Sequence, residues 1–216
     1  MNECPITIPY IARYYTLGAL NDNPEQEVWI IFHGYGQLAE YFIQKFEKVA
    51  KDGAFVVAPE GMSLFYLEGT EGRVGASWMT REFREQTISN YTTYLQQLYQ
   101  EQSLHNKKVV LFSFSQGGAT LIRWVVHHQI SFQKMIFWAG GFPPDVDPEA
   151  SRKVFSNRSL FYVYGDQDQY ITPERMMRQK ELFRQFGFYP EVIRFKGQHV
   201  IDLEVLEELQ KKSRPR

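Results

Sequence analysis

The stretch VVLFSFSQGG, residues 109–118, decides the fold of this chain. Its first four residues form a continuous apolar run, which is typical of a strand buried on both faces of a sheet. Two glycines and then apolar residues at helical spacing follow over residues 117–126. The stretch therefore predicts a strand, a tight turn at Ser115 and a helix in direct succession.

Five further apolar runs resemble this strand, with segments of helical spacing between them; the runs are 28–32, 54–58, 135–138, 160–164 and 192–195. Strands that alternate with helices build βαβ units. We therefore predict an α/β fold, a twisted and mostly parallel sheet of about six to eight strands with helices on both faces. Residues 6–17 are expected to add antiparallel edge strands, and the segments 60–81 and 140–157 are expected to be long loops.

The composition favours one domain, residues 1–216, because no shift in composition marks a boundary and little chain is left for a large cap domain. Its 24 basic and 25 acidic residues leave a net charge of −1, which gives no global attraction to nucleic acid. The single cysteine, Cys4, allows neither an intrachain disulfide nor a Cys-rich zinc site. Without a leader sequence or a long apolar run, a soluble, cytoplasmic protein with no stable membrane insertion is expected.

Ser115 occupies the position of a nucleophile elbow, a strand-to-helix turn that projects one side chain above the sheet. Small residues two positions before and two after the nucleophile let strand and helix approach, and Ser113 and Gly117 stand there. Taken alone, the segment also fits an ordinary loop between a strand and a helix. A serine hydroxyl is a weak nucleophile until a base, itself oriented by a carboxylate, activates it.

Both partners follow Ser115 in the chain order that such a triad requires. Asp166 and Asp168 come after one predicted strand, and His199 comes after the next. Parallel strands bring their carboxyl ends to one edge of the sheet, so these loops are expected to meet. Each residue alone has a simpler interpretation, since an aspartate can shape a turn and a histidine can neighbour a helix without function. Three loops in the right order favour a Ser-acid-His triad.

A glycine-containing segment, His33-Gly34-Tyr35-Gly36, directly follows the strand 28–32. Its glycines allow the backbone to turn the Tyr35 N–H toward the site, and the Gln116 N–H follows the nucleophile. Acyl transfer uses two such donors for the oxyanion, and losing one costs about 10²–10³ in rate. A phosphate-binding loop is the rival interpretation, but neither a Lys-Ser/Thr pair nor a third spaced glycine follows.

Together these motifs resemble the α/β-hydrolase superfamily, in the small carboxylesterase/phospholipase branch that includes acyl-protein thioesterases. The resemblance runs from His33 to His199, over most of the chain. Members of this branch carry Gly-Phe-Ser-Gln-Gly-Gly at the elbow, where this chain has Ser113 in place of the first glycine. The Gly-x-x-Asp loop of the family selects Asp168 over Asp166 as the acid.

The resemblance implies a serine hydrolase that cleaves carboxylic esters or thioesters of small molecules through an acyl-enzyme intermediate, with no cofactor and no metal. In it Ser115 attacks, His199 moves the proton and Asp168 orients the imidazole. The backbone N–H groups of Tyr35 and Gln116 bind the oxyanion. Two alternatives stay open, a non-catalytic ligand-binding protein on the same fold and a hydrolase of amides or peptides.

Apolar side chains on the loops around the predicted site are candidates for the substrate pocket: Phe65, Trp78, Met79 and Phe142. Such a lining suits an acyl chain or an aromatic acid and makes little provision for a charged group. Each of these side chains also fits ordinary core packing. The oligomeric state is not indicated by any feature of the sequence.

Overall fold

The computed structural model describes residues 1–212, and these contain nine strands. The strands are β1 (Tyr14–Leu17), β2 (Glu27–Phe32), β3 (Phe55–Pro59), β4 (Ser63–Tyr66), β5 (Val74–Ser77), β6 (Lys108–Phe114), β7 (Lys134–Trp138), β8 (Ser159–Gly165) and β9 (Glu191–Phe195). All six runs predicted as buried strands form strands, and five of them are buried; β9, at the edge of the sheet, is partly exposed. The N-terminal edge strand is confirmed over the last four residues of the segment predicted for it.

Seven α-helices lie between and after these strands in residues 1–212. They are α1 (Ala39–Phe42), α2 (Glu47–Lys51), α3 (Arg84–Glu101), α4 (Gln116–His128), α5 (Pro148–Phe155), α6 (Pro173–Gln185) and α7 (Leu203–Lys211). Short 3-10 helices span Ile43–Phe46 and Leu104–Asn106. Within the described part of the chain, none of the helices combines the length and the apolar character needed to cross a membrane.

Seven of the strands form one sheet in the order β1-β3-β2-β6-β7-β8-β9. Strand β1 pairs antiparallel with β3, and every other neighbouring pair in the sheet is parallel. The predicted α/β fold is therefore confirmed. Because the parallel strands run the same way, the loops that follow β2, β6, β8 and β9 leave the sheet at one edge.

Alternate residues of the central strand β6 enter two separate apolar cores. Val109 and Leu111 pack with helices α3 to α6 on one face, whereas Val110 and Phe112 pack with α1, α2 and α7 on the other. Both faces of the strand are covered, which explains why its sequence is continuously apolar and does not alternate with polar residues.

The two segments predicted as long loops contain regular structure. Strands β4 and β5 form a two-stranded antiparallel hairpin within residues 60–81, and helix α5 lies within residues 140–157. The side chain of Asp147 accepts a hydrogen bond from the Ala150 N–H, and Pro148 occupies the first helical position. An Asp-Pro pair is a signal for a helix start, so the sequence does contain the information for α5.

Candidate active site

Ser115 lies in a strained turn between β6 and α4. Its φ and ψ angles are 54° and −120°, a conformation that residues with a side chain rarely adopt and that costs on the order of 1–3 kcal/mol. The Ser115 N–H donates to the Trp138 carbonyl at 2.9 Å, which ties the turn to the end of β7. Ser113 is not among the residues with positive φ, so the turn does not require the glycine that the family has there.

The close approach of helix α4 to strand β2 requires Gly117. A Cβ atom at this position would lie 2.6 Å from the His33 carbonyl oxygen and 2.7 Å from that of Phe32. These neighbours are backbone atoms and cannot rotate away. The small residue two positions after Ser115 therefore lets the first turn of α4 sit directly against the glycine-containing segment after β2.

The structure brings Ser115, His199 and Asp168 together from three different loops. His199 Nε2 lies 2.9 Å from Ser115 Oγ, and His199 Nδ1 lies 2.6 Å from Asp168 Oδ2. An ionised carboxylate only accepts hydrogen bonds, so Nδ1 carries the imidazole proton and Nε2 is left free to accept the serine hydroxyl proton. The Asp168 side chain is fully buried, and that of His199 is 18% exposed.

The two aspartates that the residues alone left as candidates have different environments. Asp168 Oδ1 accepts from the Tyr170 N–H at 2.8 Å, while its Oδ2 meets His199. Asp166 Oδ1 instead accepts from the Gly197 N–H at 3.1 Å, which joins the loop after β8 to the loop after β9. Asp166 thus holds the two loops together, and Asp168 is the carboxylate that contacts the imidazole.

The two predicted oxyanion donors lie at the same cavity as Ser115 and His199. Tyr35 and Gln116 both line that cavity. Neither of their backbone N–H groups donates a hydrogen bond within residues 1–212. The N–H of Gln116 belongs to the first residue of α4, where no carbonyl of the helix can accept it. Both groups are therefore available to a ligand.

His33 stabilises the segment that carries Tyr35, a role that the sequence analysis did not assign to it. Its Nε2 accepts from the Gly61 N–H at 2.9 Å, so the proton lies on Nδ1, which donates to the Gly34 carbonyl at 2.7 Å. The ring is fully buried, and this burial lowers the pKa of His33 to about 4. His33 is therefore neutral at physiological pH, with both ring nitrogens engaged by the backbone.

The side chain of Gln116 adds a second constraint on the same region. Its Oε1 accepts from the Trp78 N–H at 3.1 Å, and its Nε2 donates to the Met79 carbonyl at 2.9 Å. The segment after β5 is thereby fixed to the start of α4. This contact depends on residues almost forty positions apart in the chain, so no local pattern could have predicted it.

A cavity of 740 Å³ opens beside Ser115 and His199. Met79 and Phe142, two of the four residues predicted to bind substrate, are part of its lining. Phe142 is also buried in a cluster of phenylalanines below the cavity. The volume of the cavity lies in the range usual for sites that bind small organic molecules.

Phe65 and Trp78, the other two predicted substrate residues, do not line this cavity, and their assignment to the pocket is corrected here. Trp78 is fully buried, with its ring stacked on His33 at 4.9 Å and its Nε1 donating to the His33 carbonyl at 2.9 Å. Phe65 lies in the β4–β5 hairpin and packs against the outer side of Tyr35, with ring centroids 5.1 Å apart. Both aromatic rings support the Tyr35 segment.

Three arginines also line the cavity. The expectation that the lining makes little provision for a charged group on the substrate is therefore wrong. Arg123 comes from α4, and Arg175 and Arg178 come from α6. Residues 1–212 hold no group of three or more His, Cys, Asp or Glu side chains arranged to bind a metal ion. The charged side chains of this cavity wall are thus cationic and suited to anions.

Several solved structures share this fold over nearly the whole chain. YahD, solved with malic acid, superposes with a TM-score of 0.69 and 14% identity, covering 93% of this chain and 97% of that one. Acyl-protein thioesterase 2 of Zea mays gives 0.68 and 14%, with 93% and 97% covered. The carboxylesterase of Bacillus cereus gives 0.65 and 13%, with 93% and 92% covered. At such low identity these likenesses establish the fold.

The sequence identifies the family more directly. No curated protein matches the chain significantly in sequence. A family model described as phospholipase/carboxylesterase, however, matches residues 19–213, which include the nucleophile elbow and the loops of Asp168 and His199. The chain therefore belongs to the phospholipase/carboxylesterase family of the α/β-hydrolase superfamily.

Proposed function

We propose that this protein is a serine hydrolase that cleaves carboxylic esters or thioesters through an acyl-enzyme intermediate. Membership of the phospholipase/carboxylesterase family supports a hydrolase. The proposal of a serine nucleophile and an acyl-enzyme intermediate is supported by one observation. Ser115 Oγ, His199 and Asp168 form a hydrogen-bonded chain, with distances of 2.9 and 2.6 Å, at the edge of a cavity. The cytoplasmic location and the single-domain organisation of the whole chain stay predictions.

In the first half-reaction, Ser115 Oγ attacks the carbonyl carbon of the substrate while His199 Nε2 accepts the hydroxyl proton. Asp168 accepts the hydrogen bond from His199 Nδ1 and stabilises the imidazolium that forms. The negative charge develops on the carbonyl oxygen, where the N–H groups of Tyr35 and Gln116 can donate to it. His199 then transfers its proton to the departing alcohol or thiol, and the acyl group stays on Ser115.

In the second half-reaction, water attacks the acyl carbonyl with His199 as the base. The same two N–H groups bind the second oxyanion. Collapse of this intermediate returns the proton to Ser115 Oγ and releases the carboxylic acid. The free enzyme is then restored with no net change in its protonation state.

Labelling with a fluorophosphonate probe tests the assignment of the nucleophile. The wild-type protein is expected to be labelled at Ser115 and to hydrolyse short p-nitrophenyl esters, whereas Ser115→Ala is expected to lose labelling and at least 10³-fold in kcat, about the loss expected for a missing nucleophile. Ser113→Ala is the matched control, since this nearby serine is fully buried outside the cavity lining, and it should keep the labelling.

Correctly folded protein that is neither labelled nor active on esters or thioesters would contradict the proposal. Ligand binding that Ser115→Ala leaves unchanged, without hydrolysis in either form, would support a binding protein on the same fold instead. Matched ester and amide substrates separate the remaining alternative: the proposal expects a much higher kcat/KM for the ester, because the oxygen leaving group departs more readily than an amine.

A further inference from the structure

The charge of the cavity lining differs from that of the whole protein. The chain has a net charge of −1, yet the lining residues include three arginines and, among the described residues, no aspartate or glutamate. A cavity whose charges all have one sign concentrates ions of the opposite sign.

The charge of Arg123 is largely compensated inside the protein. Its Nε and NH2 groups donate to Asp145 at 3.1 and 3.0 Å, and Asp145 also accepts from Arg84 at 2.6 Å. Arg84 in turn pairs with the exposed Glu85. Burial would raise the pKa of Asp145, but the hydrogen bonds from Arg123 and Arg84 outweigh it and lower the pKa, so the carboxylate is ionised. Arg123 and Arg84 supply two positive charges to this network, and Asp145 and Glu85 supply two negative charges, so the network as a whole is neutral.

Arg175 and Arg178 have no such compensation. Within residues 1–212, no carboxylate lies within ion-pair distance of either guanidinium. Glu174 and Glu181 belong to the same helix but are not part of the cavity lining. The uncompensated positive charge of the cavity therefore lies on α6.

The face of α6 that carries these arginines is turned toward the reaction site. Arg175, Arg178, Gln179 and Leu182 recur at i, i+3, i+4 and i+7 and all line the cavity. Gln179 Oε1 accepts from the Phe142 N–H at 3.1 Å, which fixes this face of the helix against the opposite wall. The two arginines thus project from the one face of the helix that lines the cavity, where their side chains are exposed.

Arg175 is held close to the catalytic loop. Its NH1 donates to the Tyr170 carbonyl at 3.0 Å, and the Tyr170 ring lies 4.8 Å from the His199 ring. A guanidinium has five N–H donors in a planar fork that matches a carboxylate or a phosphate. This contact uses one of them and leaves the others available to a ligand.

From these observations we propose that the natural substrate carries an anionic group, a carboxylate or a phosphate, bound by Arg175 and Arg178 while its ester carbonyl lies at Ser115. The inference rests on the proposed function and adds the substrate class to it. Met176, Leu182 and Phe142 form apolar parts of the same lining, so the region between the anion and the reacting carbonyl is expected to be apolar. The anion can belong to the acyl group or to the leaving group.

Two matched substrate pairs locate the anion. For the acyl side, the p-nitrophenyl half-ester of adipic acid, with its free carboxylate, is compared with p-nitrophenyl hexanoate. For the leaving-group side, 4-(butanoyloxy)benzoate is compared with its methyl ester. The quantity measured is the ratio of kcat/KM for the anionic member to that for the neutral member, after subtraction of spontaneous hydrolysis. The ratio is expected to exceed one for at least one pair.

The double variant Arg175→Gln/Arg178→Gln is expected to lower this ratio by about threefold to tenfold, as for the loss of two partly exposed ion pairs. Arg184→Gln is the control, because it removes one positive charge from the same helix at a position outside the cavity lining, and the wild-type ratio should persist. Raising the salt concentration to 0.5 M should also lower the ratio measured for the wild-type protein, because salt screens exposed charges.

A ratio below one for both pairs in the wild-type protein would overturn the inference. So would a ratio in the double variant equal to that of Arg184→Gln. Failure of the proposed function itself has a different signature, in which neither member of any pair is hydrolysed and Ser115 is not labelled. All three arginines substituted in these tests are exposed, and equal thermal unfolding temperatures would verify that the folds are equivalent.

Discussion

At the scale of single residues, the candidate site depends on side chains that do not line its cavity. His33 is the clearest example, because a neutral imidazole supplies one donor and one acceptor to two backbone groups of neighbouring loops. A protonated imidazole has two donors and no acceptor, so the Gly61 N–H would lose its partner. The Tyr35 segment therefore depends on the neutral state of His33.

This dependence predicts a loss of stability in acid. His33 has a pKa of about 4 in the folded protein against an ordinary value of 6.5, so between these pH values the unfolded chain binds a proton that the folded protein does not. Stability should then rise with pH across this window, and lowering the pH from 7 to 4 should cost about 3 kcal/mol through this group. Urea unfolding at several pH values measures the slope.

His33→Gln provides the comparison for that slope. Glutamine has a donor and an acceptor but does not titrate, so the variant should be less dependent on pH between 6.5 and 4 even if it is less stable at pH 7. The same slope in the variant and in the wild-type protein would contradict the assignment, because the remaining dependence would then come from other groups.

At the scale of elements, the geometry of the site depends on how closely α4 approaches β2. The backbone carbonyl oxygens of Phe32 and His33 leave no space for a side chain at Gly117. The turn at Ser115 lies at one end of this contact and the Tyr35 segment at the other. A displacement of α4 would therefore move the Gln116 N–H relative to both Ser115 and Tyr35.

Gly117→Ala is expected to reduce kcat by about 10²-fold or more, the effect of misplacing one oxyanion donor, and to destabilise the fold by about 1–3 kcal/mol through overpacking. Kinetics with active sites counted by the fluorophosphonate probe, together with urea unfolding, measure both quantities. Gly141→Ala is a control for the stability measurement, because a Cβ there meets no atom within 4 Å. A Gly117→Ala variant with wild-type kcat would contradict the proposed role of this contact.

At the scale of the whole molecule, aromatic residues make up 16% of the chain, and one cluster of phenylalanines includes Phe142 of the cavity lining. Phe188 is fully buried, and its ring centroid lies 4.8 to 5.8 Å from those of four neighbours, Phe137, Phe142, Phe155 and Phe183. These residues come from β7, α5, α6 and the loop before α5. The cluster therefore joins the elements that form one wall and the floor of the site.

Phe188→Ala is expected to lower the free energy of unfolding by about 3–5 kcal/mol, because the neighbouring rings belong to different elements and cannot close the cavity that is left. Urea unfolding measures the loss. Tyr189→Ala is the control, since that ring is 71% exposed and its removal should change stability by about 0.5 kcal/mol or less. Equal effects for the two variants would show that the cluster is not a cooperative part of the core.

Much of the fold was predictable because its determinants are local. The buried strands of a parallel sheet are continuous apolar runs, and amphipathic helices repeat every three to four residues. The chain order of Ser115, Asp168 and His199, combined with the rule that parallel strands end at one edge, was enough to predict that these loops meet. Helix α5 also has a local signal, Asp147 followed by Pro148, within the segment predicted as a loop.

What the tertiary structure decided depends on contacts between distant segments. Trp78 and Phe65 are apolar residues on loops near the site, and only the packing of the β4–β5 hairpin against the Tyr35 segment turns them away from the cavity. Arg175 and Arg178 of α6 have, in the sequence, the character of solvated surface residues. Their position in the cavity wall depends on the angle at which the helix packs, which is a sum over many long-range contacts and has no local signature.

The sequence by itself thus determined the six parallel strands, their order along the chain and the three loops that meet at one edge of the sheet. Periodicity and turn chemistry are sufficient for this, because each acts within a few neighbouring residues. The tertiary structure alone decided that Asp166 joins two loops and which side chains surround the space above Ser115. It also brings Asp168, which the family motif selects as the acid, into contact with the imidazole. Those outcomes depend on the distances between loops, and these distances are set only when both cores have packed.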